Sequence, residues 1–402
     1  MSLDQTREEI VRVAAKGDGV TASGRHVAMA APGDTLEPDG TLTHGLHHDV
    51  PPCRHFGTCG ACQLQHLDDE ALAGFVTDRV VHAAAGQGLE PAVVAPPHVS
   101  PPRSRRRATL HAASQGGKVA VGFREAASHR IVDMTECHVL VPELFALVAP
   151  LRQVLARRGG RIAADIAMTL ADQGVDLAIK GLSVEGLAET EALIDFARAN
   201  KLARLSIDGG FGPESQWEPE PVTITLGGTP VGLPPGAFLQ ATADGEAALA
   251  AAAREWLAGA DTVADLFAGL GTFAFALAGD SVRVLAVEGD RTAHFASKAA
   301  GLRTGGRVLA LHRDLYRNPM LTDEIDRFAG VLLDPPRAGA REQAERLAAS
   351  RVPRVAYISC NPSSWARDAA VLVAGGYRLA ELRPVGQFRW STHVELASLF
   401  VR

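Results

Sequence analysis

From about Asp244 onward the chain alternates between short apolar runs, each long enough for one strand, and stretches with helical spacing. The runs fall at Thr262 to Leu266, Val282 to Val287, Val308 to Leu311, Gly330 to Leu333, Val355 to Ile358 and Val394 to Val401. Few folds accommodate that rhythm. Strands apolar on both faces, joined by helices long enough for crossovers, build a parallel, doubly wound α/β sheet. Such sheets bind ligands in the crevice beyond the carboxyl ends of their strands, so the residues at those ends carry the functional information.

Three strand ends are distinctive. The first run enters Phe267-Ala268-Gly269-Leu270-Gly271-Thr272-Phe273-Ala274, a strand, glycine turn and helix that fits the Gly-x-Gly-x-x-Ala nucleotide pattern. Glu288 ends the next strand, where an acidic residue meets a ribose hydroxyl; on this signal alone NAD fits as well as any other nucleotide. The fourth strand ends in Asp334-Pro335-Pro336-Arg337, a rigid turn that holds a carboxylate at the crevice, although an aspartate there also suits a helix N-cap. The fifth runs into Ser359-Cys360-Asn361-Pro362-Ser363. A cysteine there is a candidate nucleophile or simply a small buried hydrophobe.

The N-terminal half is built differently. Residues 8 to 50 alternate short apolar pieces with glycine turns, as in a small β-barrel or a fragment of one. Residues 36 to 52 read as a linker, and no spacing singles out His44, His47 and His48 as metal ligands. Then come Cys53, Cys59 and Cys62 in C-x5-C-x2-C spacing, with Cys137 far downstream. Four soft thiolates suit zinc or an iron–sulfur cluster, and the single C-x2-C pair favours iron–sulfur, because structural zinc sites usually carry two such pairs. A helix over about 65 to 85, hairpins over 107 to 132 and 165 to 179, and helices over 142 to 158 and 186 to 199 describe a central α+β module.

Composition narrows the class. The 402 residues are 47% hydrophobic and 21% charged, with a net charge of -6, which argues against a protein coated in nucleic acid. A local basic run at Arg103, Arg105, Arg106 and Arg107 is either an RNA track or a solvated charge run. No apolar stretch approaches the ~20 residues of a membrane helix and no secretory signal is apparent, so a cytoplasmic location is expected. Five cysteines in such a chain do not form a disulfide framework.

The ordered set Phe238-Leu239-Gln240, the glycine turn, Asp334-Pro335-Pro336-Arg337-Ala338-Gly339, Ser359-Cys360-Asn361-Pro362 and His393-Val394-Glu395 resembles the S-adenosylmethionine-dependent methyltransferases, in particular the RNA uracil-5-methyltransferase family. Nearly the whole chain takes part. Cys53, Cys59, Cys62 and Cys137 resemble the 4Fe–4S site of the bacterial 23S ribosomal RNA branch, and residues 8 to 50 a shortened TRAM/OB-like RNA-binding barrel. The resemblance implies a truncated barrel over 1–50, a central α+β domain with the cluster cysteines over 51–240 and a Rossmann-like class I methyltransferase domain over 241–402, in an expected monomer acting on RNA without a membrane. It implies that Cys360 adds to uracil C6 through a lowered thiol pKa, that Glu395 removes the C5 proton, that Asp334 orients the substrate, and that Gln240, Phe267, Gly269, Glu288, Asp314 and Asp334 hold the methyl donor. Asp314 also suits a capping role, and Glu395, taken alone, a solvent-facing strand position. Thr242 and Thr272 stand where the family usually has asparagine. A transfer RNA substrate, cytosine-5 chemistry and a non-catalytic RNA-binding factor are the rivals; the cytosine-5 class places a cysteine beside a proline in the fourth-strand motif, which this chain lacks.

Overall fold

The alternation of short apolar pieces with turns in the N-terminal stretch produces five small strands: β1 (Glu8–Val13), β2 (Gly19–Thr21), β3 (His26–Val27), β4 (Thr35–Leu36) and β5 (Leu42–Thr43). They form one antiparallel half-barrel sheet in the order β3-β2-β1-β4-β5. The structure is a computed structural model that describes residues 7–402, so the first six residues of the expected barrel lie outside it.

The stretch expected to be a linker is in fact pinned. Buried Asp34 accepts from His48 Nδ1 at 2.7 Å and from the Gly45 and Ala31 amides at 2.7 and 2.8 Å. His44 stacks on His48 with ring centroids 3.5 Å apart. His47 bonds Asp68 at 2.9 Å, and Asp68 caps helix α1 (Asp69–Ala85) by accepting from the Ala71 amide. Behind them His66 is buried with neither ring nitrogen bonded, and burial, then the neighbouring His48, depresses its pKa to about 4.

After α1 the chain contributes β6 (Val93–Val94) and β7 (His98–Val99), which pair with a strand near the C-terminus. The central sheet follows. It comprises β8 (Arg107–Gln115), β9 (Lys118–Gly122), β10 (Ala163–Ala171), β11 (Gly174–Lys180), β12 (Arg204–Asp208) and β13 (Glu214–Trp217), in the order β13-β12-β11-β10-β8-β9. Residues of alternating burial on β8 (Ala108, Leu110, Ala112) and β10 (Ala164, Ile166, Met168) put one face of the pleat into the core. That core also takes in Leu151 and Leu155 of α3 (Val148–Arg158), which follows the short α2 (Pro142–Ala146), and Leu193 and Phe196 of α4 (Gly186–Ala199). The helix expected over 142 to 158 is thus divided in two at Leu147. A further hairpin, β14 (Thr223–Leu226) with β15 (Thr229–Gly232), gave no clear sequence signal. It is tethered by Arg204, which binds Asp176 through two bonds of 2.9 and 2.7 Å and donates to the Leu233 carbonyl at 2.8 Å.

The C-terminal third is the doubly wound sheet expected from its rhythm. After α5 (Ala243–Trp256) come β16 (Thr262–Leu266), α6 (Thr272–Leu277), β17 (Arg283–Glu288), α7 (Arg291–Leu302), β18 (Val308–His312), α8 (Thr322–Ile325), β19 (Gly330–Leu333), α9 (Arg341–Ala348), β20 (Arg354–Ser359), α10 (Pro362–Ala374), β21 (Arg378–Gly386) and β22 (Glu395–Val401). The order is β18-β17-β16-β19-β20-β22-β21, extended by β6 and β7. The first five strands are parallel, and β22 runs antiparallel between β20 and β21. Strand order reverses between β16 and β19, the point at which such sheets open a crevice. No helix among the described residues is long and apolar enough to cross a membrane.

The Arg204–Asp176 pair is almost wholly buried, so removing Asp176 leaves Arg204 with the more distant, partly exposed Glu218 at 3.8 Å as its counter-charge. Asp176→Ala is expected to destabilise the protein by about 3–5 kcal/mol in chemical denaturation, whereas replacing both residues by apolar ones of similar volume should cost much less.

Candidate active site

The glycine turn after β16 is shaped by backbone conformations that few residues adopt: φ is +65° at Phe267, +56° at Gly269 and +91° at Gly271. A Cβ on Gly271 would lie 2.7 Å from the Phe275 ring, so this position requires glycine. A Cβ on Gly269 would point into open space, leaving the backbone there accessible to a ligand. Glu288 fixes the turn, accepting from the Gly269 amide at 2.7 Å and the Asp290 amide at 2.6 Å. Tyr316, which sequence reasoning missed, lies beside Phe267 with ring centroids 5.4 Å apart and donates to the Gly339 carbonyl. Asp314 follows β18 and accepts from the Tyr316 and Arg317 amides at 3.0 and 3.3 Å, closing a turn rather than capping a helix, since α8 starts only at Thr322.

At the neighbouring strand end the Asp334 amide donates to the Leu266 carbonyl, tying the two loops together. Its carboxylate accepts from Gln240 Nε2 at 3.3 Å and caps no helix. Gln240 lies on a segment gripped from the other side. Arg107 donates to the Leu239 carbonyl at 3.1 Å, and Arg106 to the Gln240 carbonyl at 3.3 Å and to Glu246 at 2.6 Å. Two of the four arginines of the basic run are thus engaged by protein groups rather than free on a solvated face. Arg106 is buried, Arg105 and Arg107 are half-buried, and Arg103 is exposed.

Cys360 follows β20, and Asn361 caps α10 by accepting from the Ser363 amide. Strand β22 pairs with β20 from Arg354 against Val401 to Ser359 against Leu396. One step further in this register sets Cys360 opposite Glu395. Glu395 is buried, not solvent-facing. Its carboxylate accepts a hydrogen bond from Gln387, whose amide also donates to Gln240 Oε1 at 2.7 Å. Cys360, Glu395, Asp334 and Gln240 thus meet at one crevice, with Phe267, Gly269 and Glu288 at the adjoining strand ends.

The electrostatics of the crevice are dominated by crowded carboxyl groups. Asp265 on β16 is completely buried with no partner for either oxygen, and burial, reinforced by Glu288, pushes its pKa to about 8. Burial raises Asp334 well above the ordinary carboxylate range, and Glu395 and Asp265 add to this. Glu395 is raised to about 7 by burial, against the opposing influences of Gln387 and Arg337. Cys360 departs from expectation: its thiol is pushed up to about 11 rather than down, first by burial, then by Glu395 and Asp334, with Arg337 opposing. Burial and two nearby carboxyl groups destabilise a thiolate.

Cys53, Cys59, Cys62 and Cys137 line one small pocket with Phe56, Met134 and Val139, and burial raises all four thiols, Cys62 to about 12. No three His, Cys, Asp or Glu side chains among the described residues are drawn into a ready-made metal-ligand set. The loop after Cys62 docks on the last-strand approach, where the Gln63 and Leu64 amides both donate to the Trp390 carbonyl at 2.7 and 2.9 Å. Between this pocket and the crevice, an open cleft of about 720 Å³ is lined by Arg105, Arg124, His129, Arg337, Phe388 and His393.

Comparison with known proteins agrees with this geometry. The family described as tRNA (Uracil-5-)-methyltransferase matches residues 310–402. An uncharacterized RNA methyltransferase of Zymomonas mobilis is 47% identical over 396 residues, covering 98% of this chain and 100% of that protein. The 23S rRNA (uracil(1939)-C(5))-methyltransferase RlmD of Halomonas elongata is 34% identical over 364 residues, covering 86% of this chain and 75% of that protein. The fold matches the Pyrococcus abyssi tRNA (uracil-54, C5)-methyltransferase, solved with S-adenosyl-L-homocysteine, with a TM-score of 0.75 at 22% identity over 99% of this chain and 100% of that one. The chain is an S-adenosylmethionine-dependent RNA methyltransferase. Within that class it belongs to the RNA uracil-5-methyltransferase family.

The raised thiol has a direct readout. Alkylation of Cys360 by iodoacetamide should continue to rise with pH beyond the ~8.5 at which a free cysteine is half ionised. Glu395 is charged above about pH 7 and opposes the thiolate, so Glu395→Gln should accelerate alkylation several-fold at alkaline pH. Mass spectrometry of the Cys360 peptide measures both.

Proposed function

We propose that the protein methylates C5 of a uridine in 23S ribosomal RNA by covalent catalysis through Cys360. The observation that carries this reading is the register of β20 and β22, which sets Cys360 against Glu395 one strand along from Asp334, itself at the switch point of the sheet. Uracil C5 is a poor nucleophile. A thiolate adding to C6 converts the ring to an enolate with charge at C5, which can then attack an electrophilic carbon. When bound, S-adenosylmethionine supplies that carbon as a sulfonium methyl group.

In this scheme Gly269, Phe267, Glu288, Asp314, Gln240 and Asp334 hold the donor. Their fit rests on the open backbone at Gly269 and on Glu288 and Asp334 at adjoining strand ends. Asp334 also positions the base. Glu395 removes the C5 proton after methyl transfer, C6–Sγ cleaves as the C5–C6 double bond re-forms, and Cys360 leaves as thiolate. A base with pKa near 7 suits this step, because about half of it is ionised at neutral pH and it is still basic enough to take a proton. The thiol is raised, and Arg337 is the side chain that opposes the rise and favours its thiolate.

We also propose that Cys53, Cys59, Cys62 and Cys137 hold a 4Fe–4S cluster. Four thiols on one pocket supply the soft ligands such a cluster takes, and Arg105 lies close enough to Cys62 and Cys137 to offset their negative charge. The bonds from Gln63 and Leu64 to Trp390 give the group a structural role. In this reading it braces the loop that delivers Glu395 and takes no part in electron transfer. Residues 1–50 and the cleft beside Arg124 and His129 are read as the RNA-binding parts, and the 34% identical relative named for a 23S ribosomal RNA uridine supports ribosomal over transfer RNA.

Cys360→Ala should lower methyl transfer to unmodified ribosomal RNA by at least about 10⁴-fold while S-adenosylhomocysteine binding stays unchanged. Activity near that of the parent would sink the nucleophile assignment. Glu395→Gln should slow turnover by about 10²- to 10⁴-fold and accumulate a covalent RNA adduct on denaturing gels. Protein purified without oxygen should contain iron and acid-labile sulfide, and stoichiometric zinc without iron would overturn the cluster.

A further inference from the structure

We propose that Gln387 is a positioning residue that aims Glu395 at the uracil C5 proton and locks that aim to the donor side of the crevice. It lies just beyond β21 and is 1% exposed. Its three polar contacts settle which way the amide faces. The Thr242 backbone N–H can only donate, and it points at Oε1 from 3.3 Å. Nε2 must therefore carry the two hydrogens that reach Glu395 Oε2 and Gln240 Oε1. Gln240 in turn donates to Asp334. One primary amide thus spans the proposed base and the proposed donor-binding residues, with all of its hydrogen-bonding capacity used except one lone pair of Oε1.

A buried amide that donates to a carboxylate favours the ionised form, the form a base requires. It also fixes which oxygen is tied up, leaving Oε1 of Glu395 free toward the crevice. Thr242 is itself immobile: it is completely buried, its hydroxyl contacts Ser100 Oγ at 2.9 Å, and it caps α5 by accepting from the Gly245 amide. The wall behind Gln387 is equally tight. A Cβ on Gly245 would fall 2.5 Å from Gln387 Cγ and 2.9 Å from Cδ, so only glycine there leaves the side chain in place. No sequence motif marked Gln387, because its partners lie far away in the chain, at positions 240 and 242, and on the next strand.

Gln387 acts through Glu395, so the assignment rests on the base role proposed above. In deprotonation the C5–H bond breaks, the proton passes to Glu395, and the electron pair forms C5=C6 as C6–Sγ cleaves. Loss of Gln387 should slow this step and spare the two before it. The test uses the full-length protein with unmodified ribosomal RNA tritiated at uridine C5 and a donor carrying a ¹⁴C-methyl group, and follows methyl incorporation and tritium release separately. For Gln387→Met, which keeps the volume, ¹⁴C should enter a protein-linked RNA at near the parent rate, while tritium release falls about 10- to 100-fold, the range set by one hydrogen bond to a charged group. Raising the pH should restore part of the release rate, because Glu395 then ionises without help. Gly245→Ala, whose added Cβ would also fall 2.7 Å from Thr242 Oγ1 and so displaces Gln387 together with its Thr242 anchor, should show the same split.

Equal slowing of incorporation and release, or loss of S-adenosylhomocysteine binding, in both variants would show a merely structural residue and overturn the proposal. Release at the parent rate in both would do the same. Glu395→Gln serves as the control. If it accumulates no adduct, the base assignment itself fails; if it does and Gln387→Met does not, only the role of Gln387 fails.

Discussion

Carboxyl groups held away from water at the switch point of a parallel sheet are the constraint around which this molecule is arranged. Asp265 is wholly enclosed, Glu395 is nearly so, and Asp334 is partly open to the crevice. A charge buried without partners is strongly unfavourable, so such groups either stay protonated or acquire donors. Here they divide. Asp265, with no bonded partner, is held toward its neutral form, whereas Glu395 receives an amide donor and remains near neutrality in pKa. Cys360 shares the same poorly solvated, negatively biased volume, and its thiol is raised for the same reason.

Much of the central part of the chain serves to present donors to this region. Arg107 begins the central sheet and Arg106 precedes it, yet their guanidinium groups reach across to the carbonyls of Leu239 and Gln240. They fix the backbone on which Gln240 and Thr242 stand, and through these the amide of Gln387. The strands β6 and β7 add to the edge of the last sheet beside β21, placing Ser100 against Thr242. The cysteine-bearing loop closes the other side through Trp390, three residues before His393. The catalytic sheet is thus supported by segments from distant parts of the sequence, each contributing a hydrogen bond or a wall rather than a reacting group.

Legibility in the sequence followed the range of the interaction. The parallel strands β16 to β20 were readable because burial on both faces demands continuous apolar runs. The glycine turn was readable because positive φ at Gly269 and Gly271 restricts the residue type. By contrast, β21 and the β14–β15 hairpin left too little periodicity to be read. The arginine run was ambiguous for a physical reason: a cluster of guanidinium groups looks the same whether it faces phosphate or carbonyl oxygens, and only the fold supplies the carbonyls of Leu239 and Gln240. The thiol of Cys360 was expected to be acidic, and its opposite shift depends on burial first and then on carboxyl groups from two other strand ends.

By itself the sequence determined that the C-terminal third would be a doubly wound sheet with a glycine turn, Asp334 and Cys360 at its strand ends, since strand periodicity and turn stereochemistry are properties of short segments. Tertiary structure alone decided which of these groups face one another. The antiparallel insertion of β22 between β20 and β21 brings Glu395 opposite Cys360 and within reach of Gln387, and a register between strands separated by tens of residues is fixed by packing of the whole sheet, not by any stretch of it.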